Sequence, residues 1–285
     1  MIGKTRQKSA AEIVEVFDPE IGRARGILRH DLPAGKMRHS RKRPAADLAA
    51  WIAHYWMISW DLRGCAPQHV ESLPHPNTHL IFESCTPVVS GVQTKKFSRV
   101  LKGQSKVFGI KFKPGAFRPF FGAPVSKIAD RTIPATRVFG KELLALAEVV
   151  FSDRSEETRA AAANAFFLQR MPQPDKTLDL AGQLVERILQ DVEIRLVDDL
   201  VRVSSINKRS LQRIFNEYVG VSPKWVIRRY RLHELIEKFN SGAPVDLPQL
   251  ALDLGYFDQA HLINDFKSVV GYSPTQYQKL VSKKS

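Results

Sequence analysis

Cysteine is nearly missing from this chain: Cys65 and Cys85 are the two present in 285 residues, and neither stands in a Cys-x-x-Cys pair. That excludes a disulfide-stapled scaffold and suits a reducing compartment. No apolar run is long enough to cross a bilayer, and the first fifteen residues hold no continuous apolar stretch. Neither a membrane span nor a signal peptide is therefore expected, and the location predicted is cytoplasmic. Nucleotide-binding glycine loops and the Gly-x-Ser-x-Gly elbow are absent too, which removes two common routes to enzymatic chemistry. His75 and His79 stand four apart, but Pro74, Pro76 and Asn77 oppose the helix that would aim both rings at one metal. No catalytic residue, metal site or cofactor is predicted, and the chain is not expected to be an enzyme.

Acidic residues are missing from 84–129, where Lys95, Lys96, Arg99, Lys102, Lys106, Lys111, Lys113, Arg118 and Lys127 accumulate. The formal net charge is +14, and its distribution is uneven. Residues 175–285 hold 16 Lys and Arg against 14 Asp and Glu, whereas residues 1–174 hold 27 against 15. The basic field belongs to the N-terminal part. Three causes compete for it: a pocket for an anionic effector, a surface that follows DNA phosphates, and a solvated basic face.

What the chain does contain is a duplication. Asn207-Lys-Arg-Ser-Leu-Gln-Arg-Ile-Phe215, closing at Gly220-Val-Ser-Pro223, returns as Asp258-Gln-Ala-His-Leu-Ile-Asn-Asp-Phe266, closing at Gly271-Tyr-Ser-Pro274. Asn207 and Asp258 suit N-caps, Gly220 and Gly271 suit the left-handed end position, and the prolines open the next helix. Leu211, Ile214, Phe215 and Tyr218 form one apolar stripe, matched by Leu262, Phe266 and Val269. A shorter amphipathic helix precedes each copy, at about 196–203 and 247–254, and a long helix from Pro223 to about Asn240 joins the two units. Helix, tight turn and helix with an exposed polar second helix is the helix-turn-helix plan.

With Leu-Gln-Arg-Ile-Phe, Gly-Val-Ser-Pro, Leu-Gly-Tyr-Phe-Asp-Gln-Ala-His and Gly-Tyr-Ser-Pro in that order, residues 178–281 resemble the DNA-binding domain of AraC/XylS-type transcription regulators. The resemblance implies two recognition helices entering successive major grooves of double-stranded DNA, about 34 Å apart. It implies a sequence-specific regulator; the alternative is an architectural binder that uses the basic N-terminal face with little sequence preference. Exposed-side chemistry assigns base reading to Arg209, Gln212 and Arg213 in the first unit and to Gln259, His261 and Asn264 in the second. Phosphate contacts are assigned to Lys208, Lys224, Arg228, Arg229 and Lys267. Trp225 and Tyr230 are expected to face inward. Ser205 stands where the family's first turn usually has glycine.

The N-terminal half reads as short strands, Pro74–Phe82, Pro87–Gly91 and Val107–Phe112, separated by turn residues. The stretch Ala45–Trp60 begins like a helix and ends like a strand. Tyr55-Trp56, Leu73-Pro74 and Gly109-Ile-Lys-Phe-Lys-Pro-Gly-Ala-Phe117 resemble the sensor-type domain found ahead of some AraC-type regulators. That implies a small-molecule effector or a partner, and the family also brings in RNA polymerase and homodimer formation. The expected fold class is α+β. Residues 1–24 are an extension, 25–140 a β-rich sensor-like domain, 141–175 a helical connector and linker, and 176–285 an all-α domain of two helix-turn-helix units.

Overall fold

Strands form where the N-terminal half is β-branched and aromatic. In the computed structural model, which describes residues 14–16, 21, 26–30, 36–83, 86–152, 155–173, 175–241 and 245–282, these are β1 (Val14–Val16), β2 (Ile27–His30), β3 (Met37–Lys42), β4 (Ile52–Asp61), β5 (Gln68–Ser72), β6 (His79–Phe82), β7 (Val88–Ser90), β8 (Phe97–Leu101), β9 (Gln104–Phe112) and β10 (Thr132–Pro134). Most of the expected N-terminal extension, Cys85, and Pro174 of the expected linker lie outside the described residues. One sheet has the order β1-β3-β4-β9-β6-β7-β10 and the other β2-β5-β8.

Alternation gives the larger sheet two unlike faces. Tyr55 and Met57 of β4, Phe108, Ile110 and Phe112 of β9, and Leu80 and Phe82 of β6 are buried on one side. Helices α1 (Arg118–Phe121), α2 (Thr136–Phe139), α3 (Leu143–Phe151) and α4 (Glu156–Leu168) cover it. Phe112, Phe117, Phe139 and Phe167 meet there edge to face, with Phe112 and Phe117 centroids 5.0 Å apart. The helices read as a connector, α3 and α4, thus share a core with the sheet. The helical start expected after Ala45 is a single 3-10 turn at Ala46–Leu48; β4 begins at Ile52 because its Ile, Tyr and Trp side chains pair with β9. His54, Trp56, Ile58 and Trp60 face the other way, across a cavity towards the smaller sheet.

The C-terminal part is helical: α5 (Lys176–Gln190), α6 (Val197–Ser204), α7 (Lys208–Ile214), α8 (Pro223–Asn240), α9 (Leu247–Asp253), α10 (Gln259–Val270) and α11 (Pro274–Ser282). Phe215–Val219 continues α7 as a π turn. Helix α8 serves both units. Val226, Ile227 and Tyr230 pack with α5 and α7, and Leu232, Leu235, Ile236 and Phe239 pack with α10. Between these halves Arg231, 1% exposed, donates to the carbonyls of Ile188 (2.6 Å) and Asp191 (3.1 Å) and pairs with Glu234. It fastens the end of α5 to the long helix. Among the described residues no helix is long and apolar enough to cross a membrane.

Candidate nucleic-acid interface

The two units are built alike down to single hydrogen bonds. Asn207 Oδ1 accepts from the Ser210 amide at 2.9 Å and Asp258 Oδ1 from the His261 amide at 2.7 Å. Each satisfies an amide of a first turn that has no partner inside the helix. Gly220 (φ 94°) and Gly271 (φ 87°) close the same helices in the left-handed region. The turns before them also match: Ser205 (φ 56°) and Gly255 (φ 73°) both take left-handed backbone. Serine at 205 thus adopts the conformation for which glycine is the usual residue.

Capping at one end and an apolar stripe beneath leave a polar face outward. Arg209, Gln212 and Arg213 of α7 are exposed, and neither arginine enters a salt bridge among the described residues. On α10, Asn264 and Lys267 are exposed and Gln259 is half-buried. His261 rests edge-on against Tyr256, ring centroids 5.2 Å apart. Lys224 is exposed, and Lys208 makes a surface pair with Asp198 at 3.0 Å that solvent and salt weaken.

Two arginines depart from expectation. Arg229, 2% exposed, lies over Trp225 and donates to the carbonyl of Thr94 in the N-terminal half. Burial pulls its guanidinium down to about 10. It is a contact between the two halves and is not placed to reach a phosphate, because the apolar face of α8 that carries it turns inward. Arg228 pairs with Asp265 at 2.5 Å beside Tyr256, whose hydroxyl donates to the same carboxylate at 2.6 Å. That triad ties α10 to α8. Asp265 escaped notice in the sequence; its signal is an acid between Leu262 and Val269, on the edge of the apolar stripe. Trp225 is half-buried and Tyr230 buried, both on the inner side.

The basic stretch 95–127 does not form one face. Lys96 pairs with Glu71 (2.6 Å) and donates to the carbonyl of Val270 (3.3 Å), the last residue of α10. Arg118 pairs with Glu217 (2.6 Å) on the π turn that ends the first recognition helix. Arg99 pairs with Glu83, and Lys111 lines the cavity. Cations from the N-terminal half therefore meet the C-terminal ends of both recognition helices, where carbonyls and the helix dipole favour positive charge.

Residues 200–280 match the family described as a helix-turn-helix domain, the segment that contains both capped units. These residues are a helix-turn-helix domain of the AraC type. Residues 40–134 match a family described as a domain of unknown function, DUF6597. The chain also aligns with an uncharacterized HTH-type transcriptional regulator of Haemophilus influenzae, 29% identical over 108 residues, or 38% of this chain and 35% of that protein. MtrA, an HTH-type transcriptional regulator of Neisseria gonorrhoeae, is 28% identical over 102 residues, 34% of this chain and 33% of MtrA. The chain spans about a third of the length of these relatives. ToxT of Vibrio cholerae is 13% identical across 86% of this chain and 98% of its own, with a TM-score of 0.37, too low to carry anything from that protein to this one.

Proposed function

We propose that the protein is a sequence-specific, DNA-binding regulator of transcription that reads double-stranded DNA with α7 and α10 and responds to a signal through the β-rich half. One observation carries this reading: within the AraC-type domain, Arg209, Gln212 and Arg213 project from one exposed face of a capped helix, clear of ion pairs with described residues. An arginine there matches guanine O6 and N7, and a glutamine matches adenine N6 and N7. Gln259, His261 and Asn264 are the second, weaker reading set. Lys208, Lys224 and Lys267 grip phosphates, and Arg228 serves in orienting α10.

The functional division follows the sequence: a signal-binding unit within 25–140, helices and linker over 141–175, and the reading unit over 176–285. The protein works in the cytoplasm, has no catalytic role, and acts on RNA polymerase as a homodimer or a monomer. The architectural alternative is the weaker one, since Lys96, Arg99 and Arg118, cations it would need, already hold carboxylates.

Selection from a randomised DNA pool at near-physiological salt tests the reading. Two enriched blocks about ten base pairs apart are expected. Arg213→Ala should lose about 1–3 kcal/mol of discrimination at one base pair. Lys224→Ala should weaken all sequences alike and lower the salt slope by about one. Equal losses on every DNA from both variants would overturn the assignment of base reading.

A further inference from the structure

The cavity between the two sheets, about 1640 Å³, is larger than most small-molecule sites, and its chemistry is divided along its length. Strand register explains the division. Across the inward face of the large sheet His54 pairs with Lys111, Lys111 with His79, and Arg41 with Trp56. Cationic and imidazole groups therefore crowd one end. Further along the same strands Trp60, Ile58, Val107 and Ile81 follow, and Val70 and Leu101 answer them from the smaller sheet.

Two details show that the polar end is built. Trp56 lies flat over Gly109, where an added Cβ would sit 1.9 Å from the indole ring. Its Nε1–H donates to His79 Nδ1 at 3.2 Å. Because indole only donates, the His79 proton resides on Nε2, which makes that nitrogen a donor. The described carboxylates of the wall have partners: Glu71 with Lys96, Glu83 with Arg99, and Glu186 with the Gln190 amide at 2.6 Å. No carboxylate among the described residues pairs with Lys111.

We propose that this cavity binds an amphipathic organic anion, its carboxylate or similarly charged head at Lys111, Arg41 and His79, and its apolar body over Trp56 towards Trp60 and Ile58. A protein that lines an apolar wall with a lysine lacking a carboxylate loses folding stability there, and an anionic occupant restores it. Burial, with the nearby Arg41 guanidinium, pulls Lys111 down to about 8. Tyr230 and Leu189 of the C-terminal helices also line the space, and Glu71 joins it to Lys96 at the end of α10. An occupant thus touches groups that hold a recognition helix. This deepens the regulatory reading above and rests on it for the consequence at DNA, while occupancy is measured without DNA.

The full-length protein is titrated with 8-anilinonaphthalene-1-sulfonate and with its uncharged counterpart N-phenyl-1-naphthylamine. One sulfonate per chain is expected. Lys111→Met should weaken it about tenfold or more, Lys111→Arg much less, and the neutral dye should bind both variants as it binds the wild type. Lys111→Met should also melt no lower than the wild type. A pH series on the wild type needs no variant. The groups facing Lys111 are Arg41 and His39 from β3, His54 from β4 and His79 from β6, with Glu186 and Tyr230 on the helices across the cavity and His75 beside them. Burial and the neighbouring cations hold His54 down to about 2, and burial with Lys111 holds His79 to about 3, so neither changes charge near neutrality. Affinity for the sulfonate should therefore stay high below about pH 8 and fall as Lys111 loses its proton above it.

Equal loss of both dyes in Lys111→Met, a flat pH series, or several weak dye sites per chain would overturn the proposal. Failure here with a DNA motif still selected removes the anion site and leaves the regulator. A specific dye site with no selected motif removes the regulator and leaves the site.

Discussion

At the scale of single residues, the two reading units share one backbone course and differ in the side chains set on it. Ser205 and Gly255 occupy equivalent turn positions with φ of 56° and 73°. Left-handed backbone brings Cβ close to the following carbonyl oxygen, and glycine has no Cβ. Ser205→Gly should therefore raise stability by about 1 kcal/mol, seen as a melting temperature a few degrees higher. Gly255→Ala should do the reverse, since its new Cβ would meet Arg195 Cβ at 2.9 Å. A lower melting temperature for Ser205→Gly would mean that the hydroxyl has a role the turn geometry does not show. Position 205 is legible in sequence as a departure from the family; that it strains the turn is read only from φ.

Among elements, the decisive joint is α8 against α10. Asp265 accepts from Arg228 on α8 and from Tyr256 in the turn before α10, so one carboxylate sets the angle at which the second reading helix leaves the long helix. Asp265→Ala should cost about 1–2 kcal/mol, because it leaves a guanidinium and a phenol without their acceptor. In DNA selection the variant should keep the block read by α7 and blur the one read by α10. Blocks of unchanged sharpness would show that core packing of Leu262 and Phe266 alone orients the helix. The sequence located α8 and α10 well, since caps and apolar spacing are local signals. It assigned Arg228 and Arg229 to phosphates because a helical wheel cannot tell which neighbour a long charged side chain will find.

Over the whole molecule, the N-terminal half holds both reading helices by their ends, Lys96 at Val270 of α10 and Arg118 at Glu217 after α7. Tyr277 adds a contact to the carbonyl of Leu28, and His75 stacks on His233 with centroids 4.2 Å apart. A unit that touches both helices is placed to change their separation. Lys96→Ala with Arg118→Ala should speed amide exchange in the last turns of α7 and α10 while leaving the sheet and α3 unchanged. Identical exchange at both helix ends would show that apolar contacts alone dock the two halves.

The duplicated caps, stripes and closing glycines were enough to determine two helix-turn-helix units, because each signal acts within one or two helical turns. Composition and spacing likewise placed strands within 74–82, 87–91 and 107–112, where β-branched and aromatic runs alternate with turn residues, and missed the strand Phe97–Leu101, whose polar and basic residues mask the pattern. What the sequence left open was the meaning of the basic stretch 95–127, offered three ways above. Tertiary structure divided it among the ends of two helices, a carboxylate partner and a cavity wall. Strand pairing decided this, since it set Lys111 between His54 and His79 and Trp56 over Gly109, residues up to 57 positions apart. Local rules do not reach across such separations; register and domain packing do.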